Sequence, residues 1–258
     1  MIRVVVPGAG GRMGRMVIDA IAATPGVVLA AAVERADSPD VGAVVDGVTI
    51  GASFDDALTG GDVYIDFTAP EACAGHVSAA AERKVAGVVG TTGLPAEARA
   101  AIMHAGATVP IVVAPNFSLG VNLLCGLVEQ AARALGEDFD LEVVEVHHKA
   151  KRDAPSGTAI AIAEAMARGR GLDFPSARRF ARDGDIGPRK TGEIGVVAVR
   201  GGDVVGEHTA HFLGPNERVE LTHRAASRAV FARGAVKAAA WVVKQPPGVY
   251  SMRDVLGL

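Results

Sequence analysis

The chain has 258 residues, of which 49% are hydrophobic and 21% charged, and its formal net charge at pH 7 is −3. This composition is typical of a globular protein and excludes a disordered chain. Nucleic-acid-binding proteins carry a basic excess or stacking aromatic residues, so the slight acidity and the 4% aromatic content exclude a nucleic-acid partner.

The first 118 residues alternate strand-like and helix-like segments. Apolar runs predict strands at residues 4–6, 27–33, 63–67, 87–90 and 111–113, and helical spacing of apolar residues predicts helices at 13–23 and 71–82. Continuous apolar strands that alternate with helices are typical of a parallel sheet covered on both faces. The sequence therefore predicts an α/β domain.

A glycine-rich loop lies between the first predicted strand and the first predicted helix. It has the sequence Gly8-Ala9-Gly10-Gly11-Arg12-Met13-Gly14. Glycines in this position let the backbone approach a pyrophosphate, and the free N–H groups of a helix N-terminus favour an anion. The spacing matches G-x-x-G-x-x-G and departs from the strict G-x-G-x-x-G of dinucleotide-binding loops. A plain strand-to-helix turn is the alternative.

An acidic residue that could bind the cofactor ribose follows the second predicted strand. Glu34 lies 20 residues after Gly14, and Arg35 is next to it. A carboxylate here favours NAD, while a neighbouring guanidinium can hold the 2′-phosphate of NADP. We therefore expect NADH, NADPH or both as cofactor, with a solvated arginine as the alternative interpretation of Arg35.

The cysteines and the longest uncharged stretch indicate the compartment. Cys73 and Cys125 lie in apolar stretches and form no disulfide framework, which predicts a reduced, cytoplasmic protein. Pro7 and Gly8 interrupt the N-terminal apolar run, so we expect no signal peptide. Residues 100–128 contain no Asp, Glu, Lys or Arg, but prolines divide them, and we expect buried core and no membrane partner.

After residue 118 the pattern changes. Helices are predicted at residues 119–135, 158–168 and 231–243, and longer, more alternating strands at 141–147, 194–200, 204–212 and 218–223. Alternation is typical of a sheet covered on one face, so we expect a C-terminal α+β domain with a mixed, mostly open sheet. Residues 173–193 are rich in Arg, Gly, Pro and Asp, which predicts a long mobile loop.

Residues 145–158 are the densest group of chemically reactive side chains. His147 and His148 are neighbours on a strand and therefore point to opposite faces. Ser156-Gly157-Thr158 opens a helix and offers N–H groups and hydroxyls to a carboxylate or phosphate. Lys149, Lys151 and Arg152 add positive charge. A capped helix after a basic surface turn is the alternative.

The run His147-His148-x-x-Lys151-x-Asp153-Ala154-Pro155-Ser156-Gly157-Thr158 resembles the signature of the 4-hydroxy-tetrahydrodipicolinate reductase (dihydrodipicolinate reductase) family of the diaminopimelate route to lysine. The resemblance covers the whole chain. Other segments similar to landmarks of that family, in its order, are residues 8–15, 66–68, 90–93, 114–118, 206–209 and 252–255.

The resemblance implies a domain plan, an activity and partners. It implies an N-terminal Rossmann dinucleotide-binding domain, residues 1–118 with 229–258 returning to it, and a substrate-binding and oligomerisation domain, residues 119–228. It implies NAD(P)H-dependent reduction of a small cyclic dicarboxylate, by hydride transfer to the ring and protonation. It also implies a homotetramer that packs through the second sheet.

The resemblance also implies roles for individual residues. His147 and Lys151 are the implied acids, and the residues alone do not decide which gives the proton. His148, Gly157 and Thr158 are implied to hold the substrate, with Ser156 at the same helix end. The implied cofactor contacts are Gly8, Ala9, Gly10, Gly11, Arg12, Met13, Glu34, Arg35, Gly90, Thr91, Thr92, Ala114, Pro115, Asn116 and Phe117, with Phe67 and Thr68 beside them.

Three other functions compete with this interpretation. A different NAD(P)-dependent oxidoreductase, such as an aspartate- or homoserine-type dehydrogenase, explains the glycine loop but not residues 147–158. A non-catalytic dinucleotide sensor would need no acid residues. A metal enzyme could use His208 and His211, but their odd spacing on a strand puts them on opposite faces, so we expect no metal.

We expect His76, His104 and His223 to be structural or exposed, and Trp241 to lie in the core.

Overall fold

A computed structural model describes residues 1–258, which form two compact units. The first comprises Met1–Leu119 and Ala229–Gly257, and the second comprises Gly120–Arg228 with Leu258. Each unit has its own sheet, and the first unit has two apolar core clusters where the second has one. None of the helices combines the length and the apolar character that a membrane span requires.

The first unit is built around an eight-stranded sheet. Numbered in chain order over the whole protein, its strands are β1 (Ile2–Pro7), β2 (Val27–Val33), β3 (Val44–Val45), β4 (Val48–Gly51), β5 (Val63–Asp66), β6 (Ala86–Val89), β7 (Pro110–Val113) and β13 (Gly248–Tyr250). Its helices are α1 (Arg12–Ala22), α2 (Phe54–Ala57), α3 (Pro70–Glu82), α4 (Ala96–Ala105), α8 (Ala229–Val242) and α9 (Met252–Leu256).

The strand order β13-β7-β6-β5-β1-β2-β4-β3 places a topological switch beside β1. All neighbours in this order are parallel except β3 and β4. The chain moves outward from β1 to β2 and β4, and then returns to β5 on the other side of β1. In such sheets ligands bind at the carboxyl ends of the strands near the switch, so a ligand site is expected at the end of β1.

The second unit is a five-stranded mixed sheet with helices on one face. Its elements are α5 (Leu119–Leu135), β8 (Asp140–His147), α6 (Gly157–Arg170), α7 (Phe174–Ala177), β9 (Arg178–Arg179), β10 (Ile194–Arg200), β11 (Gly206–Gly214) and β12 (Glu217–Ala225). The strand order is β12-β11-β8-β10-β9, with β8 parallel to β10 and antiparallel to β11.

One face of this second sheet is covered and the other is open. Leu141 and Val143 of β8 are buried and belong to one apolar core with residues of α5 and α6, such as Val128 and Ile162. On the open face, Val197 and Val199 of β10 are each 43% exposed. The predicted α/β fold with a mixed, mostly open second sheet is therefore confirmed.

The prediction of one long loop for residues 173–193 is partly wrong. The segment begins with α7, capped by the Asp173 side chain, and continues into β9, which pairs in parallel with β10. Arg182 and Arg189 then form ion pairs with Glu142 of β8 and with Glu193. Two-residue strands and four-residue helices are too short to show periodicity, and the ion pairs to Glu142 join residues 40 and 47 positions apart in sequence.

Candidate active site

The glycine loop connects β1 to α1 with very little space between helix and loop. Gly8 has a φ of +70°, a conformation that glycine adopts without strain. A Cβ on Gly14 would lie 2.1 Å from the Gly8 carbonyl oxygen, so only glycine permits this approach. Gly11 is the N-cap of α1 and makes no side-chain capping bond. The loop therefore offers the N-terminus of α1 to an anion.

Glu34 joins the end of β2 to the glycine loop. Its Oε1 accepts the Gly10 N–H at 2.9 Å, and its Oε2 accepts the Arg35 N–H at 3.2 Å. The Arg35 side chain is 82% exposed and lies 3.7 Å from Asp37. Because water surrounds both groups, this ion pair is weak. Glu34 and Arg35 line a cavity of about 340 Å³ together with Gly8, at the end of β1, and with Thr68, in the loop after β5.

A buried carboxylate organises the loop after β5. Asp66 is fully buried, and its Oδ1 accepts the N–H and the hydroxyl of Thr68 at 2.7 and 2.6 Å. Its Oδ2 lies 2.8 Å from His76 Nδ1, and the His76 ring packs on Phe54 with centroids 4.4 Å apart. His76 also lines the cavity. His76 therefore has structural partners within the unit, and it also forms part of the wall of this cavity.

The remaining residues predicted to contact the cofactor follow β6 and β7. Phe67 packs across Gly90, where a Cβ would lie 2.1 Å from the ring. The Phe67 and Phe117 rings meet edge to face at 5.6 Å, and Phe117 is buried. Thr91 donates its hydroxyl to the Thr68 carbonyl at 3.1 Å, whereas Thr92 and Pro115 are exposed. The loops after β1, β2, β6 and β7 therefore occupy one edge of the sheet.

In the second unit, His147 is the last residue of β8 and is buried. Its Nδ1 lies 2.5 Å from Oε2 of Glu145, two residues earlier on the same face of the strand. The guanidinium of Arg200, at the end of β10, binds both Glu145 oxygens at 2.7 and 2.8 Å. His148 lies beyond the strand, half-buried, and donates its N–H to the Val204 carbonyl at 2.7 Å.

Ser156 caps α6 beside the buried histidines. Its Oγ accepts the Ala159 N–H at 3.1 Å and lies 3.0 Å from His208 Nε2, while its own N–H donates to Glu145 Oε1 at 2.9 Å. The Ser156 hydroxyl thus has two partners within the protein. Gly157 is exposed and Thr158 is half-buried in the first turn of this 14-residue helix. The positive end of the helix dipole is accordingly accessible at these two residues.

Lys151 lies in the loop that joins β8 to α6. Its Nζ donates to both carboxylate oxygens of Asp153 at 2.9 Å. This hydrogen bond lowers the pKa of Asp153 below its usual value. The ammonium and the His147 imidazole are thus both held by carboxylates within one short segment.

His208 and His211 lie on opposite faces of β11. His208 is buried next to His147, with ring centroids 5.1 Å apart, whereas His211 lies 3.3 Å from Glu220 on the other face. Two side chains on opposite faces of one strand cannot ligate the same ion. The spacing that suggested a metal site therefore brings no ligand pair together.

The unfolding free energy should fall as the pH is lowered from about 6.5 to about 4. Burial, reinforced by the neighbouring His147, lowers the pKa of His208 from 6.5 to about 4. In that window the unfolded chain binds a proton at this histidine and the folded chain does not, so acid favours unfolding, by roughly 3 kcal/mol over the whole interval.

Denaturant midpoints at pH 7.5 and 4.5 measure this effect. His208→Asn removes the titrating group and should flatten the pH dependence relative to the parent chain. His104→Asn, at an exposed position of α4, should leave the pH dependence unchanged. An equal pH dependence in the parent and in His208→Asn would contradict the assignment.

Comparison with known proteins gives matches along the whole chain. The family models described as "Dihydrodipicolinate reductase, N-terminus" and "Dihydrodipicolinate reductase, C-terminus" match residues 2–117 and 120–256. The 4-hydroxy-tetrahydrodipicolinate reductase of Anaeromyxobacter dehalogenans is 50% identical, and that of Laribacter hongkongensis 48%. Each alignment covers 100% of this chain and 98% of the relative.

A solved structure is also similar. The dipicolinate-bound dihydrodipicolinate reductase of Paenisporosarcina sp. TG-14 superposes with a TM-score of 0.77 over 97% of both chains. At 24% sequence identity this likeness supports the fold.

Proposed function

The chain belongs to the dihydrodipicolinate reductase family, and from this premise we propose how its residues carry out the reaction. The protein is an NAD(P)H-dependent oxidoreductase that reduces 4-hydroxy-tetrahydrodipicolinate to tetrahydrodipicolinate in lysine biosynthesis. The substrate gains a hydride and a proton and loses its 4-hydroxyl group as water. The protein must therefore bind a dicarboxylate, orient a reductant and deliver a proton.

The residues of the first unit fit a nicotinamide dinucleotide. The close approach at Gly14 and the uncapped start of α1 suit a pyrophosphate, and the cavity beside Glu34 suits an adenosine. When bound, the reduced dinucleotide supplies the hydride. We assign its binding to Gly8, Ala9, Gly10, Gly11, Arg12, Met13, Glu34, Arg35, Gly90, Thr91, Thr92, Ala114, Pro115, Asn116 and Phe117, with Phe67 and Thr68 alongside.

Arg35→Ala should weaken the binding of NADPH more than the binding of NADH, because only NADPH carries a 2′-phosphate for the exposed guanidinium to bind. We expect the Michaelis constant for NADPH to rise about tenfold, and that for NADH to change less than twofold. Arg83→Ala, which removes a partly exposed arginine elsewhere in the same unit, should change neither constant. Equal effects of Arg35→Ala on both cofactors would contradict the assignment.

The second unit holds the groups that would bind and protonate the substrate. Gly157 and Thr158, at the N-terminus of α6, would bind one substrate carboxylate, and His148 would hydrogen-bond the ring. The Ser156 N–H ties this helix end to Glu145 and so to His147. His147 or Lys151 would give the proton. The link between a buried, carboxylate-bound histidine and a helix N-terminus is the observation that carries this proposal.

A coupled assay tests the proposed function. The preceding synthase generates the unstable cyclic substrate in the cuvette, and oxidation of NADH and of NADPH is followed in parallel. Cofactor oxidation that needs both the substrate and this protein supports the reductase. Cofactor binding without oxidation would identify a dinucleotide sensor and would contradict the proposal.

We further propose that a second copy of the chain covers the open face of the second sheet in a homotetramer. Val197 and Val199 place an exposed apolar strip on that face, and buried apolar area drives association. Val199→Asp should therefore lower the mass measured by light scattering. Met103→Asp changes a 66% exposed methionine on α4 of the other unit and should leave the mass unchanged. A parent chain that is monomeric would contradict the proposal.

A further inference from the structure

Glu145 is fully buried and nevertheless accepts hydrogen bonds from three separate parts of the second unit. Its Oε2 is bonded to His147 Nδ1 at 2.5 Å and to Arg200 at 2.7 Å. Its Oε1 is bonded to Arg200 at 2.8 Å and to the Ser156 N–H at 2.9 Å. The carboxylate thus joins β8, the end of β10 and the N-terminus of α6 at one point.

These partners keep the carboxylate ionised. Burial acts to raise the pKa of Glu145, but the hydrogen bonds from Arg200, His147 and Ser156 outweigh it and hold the pKa below its usual value. An ionised carboxylate only accepts hydrogen bonds, so the Nδ1 that faces it must carry hydrogen. The second ring nitrogen, Nε2, is then the one free to exchange a proton with another molecule.

The surroundings of the His147 ring fix its direction. The His208 ring packs against it at an interplanar angle of 76°, and burial keeps that neighbour uncharged near neutral pH. A Cβ on Gly206 would lie 2.9 Å from His147 Nε2, so the glycine leaves room beside that atom. The charged groups next to this arrangement are Arg200, Lys151 and Asp153.

From this arrangement we propose that Glu145, held by Arg200, is a positioning residue for the reaction. It fixes His147 in the form with hydrogen on Nδ1, and it ties the acid to the helix end that binds the substrate carboxylate. The inference rests on the proposed role of His147 as an acid. It goes beyond that role because one buried ion pair, between Glu145 and Arg200, sets both the orientation of the acid and its position relative to the bound substrate.

Glu145→Gln tests the proposal directly. An amide can donate as well as accept, so it no longer dictates which nitrogen of His147 carries hydrogen, and a misplaced proton costs catalysis more than binding. We expect kcat to fall between tenfold and a hundredfold, while the dissociation constant for NADH, read by fluorescence, stays the same. Glu142→Gln is the matched control, because Glu142 lies on the same strand, faces the other side and is also paired with arginines. Its kcat should be that of the parent.

A double-mutant cycle separates positioning from a general structural effect. If Glu145 acts through His147, then Glu145→Gln should lower kcat in the parent and have no further effect in the His147→Gln background. An equal loss in both backgrounds would overturn the proposal. A normal kcat in His147→Gln alone would instead overturn the proposed function of that histidine, so the two failures are distinguishable.

Arg200→Met provides a second route if Glu145→Gln does not fold. The Arg200 side chain is 20% exposed, and its substitution leaves the fully buried Glu145 side chain and its bonds to His147 and Ser156 in place. The proposal is supported if Arg200→Met lowers kcat in the parent and does not lower it further in the His147→Gln background. An unchanged kcat in folded Arg200→Met overturns it.

Discussion

His147→Gln and Lys151→Met should each lower kcat by about 10²-fold, the usual scale of a lost general acid. His147 is held by Glu145 and Lys151 by Asp153, so each offers a group of defined position that can give a proton. Steady-state rates with the coupled substrate supply measure both effects. A double variant that keeps a near-normal kcat would contradict the assignment and leave residues 147–158 as a capped basic turn.

Changes at the substrate-binding residues serve as the contrast. Thr158→Val and His148→Gln should act mainly on the Michaelis constant for the substrate, since these groups bind ground state and transition state alike. All four variants should bind NADH as the parent does, because none of these residues belongs to the first unit. Loss of NADH binding in any of them would indicate damage beyond the site.

The sequence was sufficient to predict the strands that form the centre of each sheet. Runs such as residues 27–33 and 141–147 are long enough for apolar continuity or alternation to be visible, and they appear as β2 and β8. The elements β3, β4, β9 and β13 were not predicted, because each has two to four residues and gains its stability from a neighbouring strand. Such pairing is a tertiary property that no local pattern records.

The individual residues of the candidate site were predictable, but their connections were not. The glycine spacing indicates the candidate site of the first unit, and the run at residues 147–158 indicates that of the second. Arg200 had no signal of its own, since it reaches Glu145 only because β10 pairs in parallel with β8 and places Arg200 beside His147. Likewise the bond between His76 and the buried Asp66 joins a helix to a strand end ten residues away. The first contact depends on strand register and the second on the packing of a helix against a strand end, and both appear only in the folded chain.

Gly14→Ala should weaken NADH and NADPH binding alike, by about 10²-fold. The new Cβ would lie 2.1 Å from the Gly8 carbonyl oxygen, a backbone atom that cannot rotate away, so α1 must move from the glycine loop. Such overpacking typically costs about 1–3 kcal/mol, and the displaced helix N-terminus is the proposed pyrophosphate site. Equal loss for both cofactors distinguishes this change from Arg35→Ala, which should discriminate between them.

Gly75→Ala is the matched control for Gly14→Ala. Gly75 lies inside α3 of the same unit, and a Cβ there would meet no atom within 4 Å. Because alanine favours a helix interior over glycine, this variant should be more stable by about 0.5–1 kcal/mol and should bind both cofactors normally. Fluorescence titration with each cofactor and thermal unfolding measure the two properties together. If Gly14→Ala were folded and bound NADH as tightly as Gly75→Ala does, the close approach of α1 to the glycine loop would have no part in holding the cofactor.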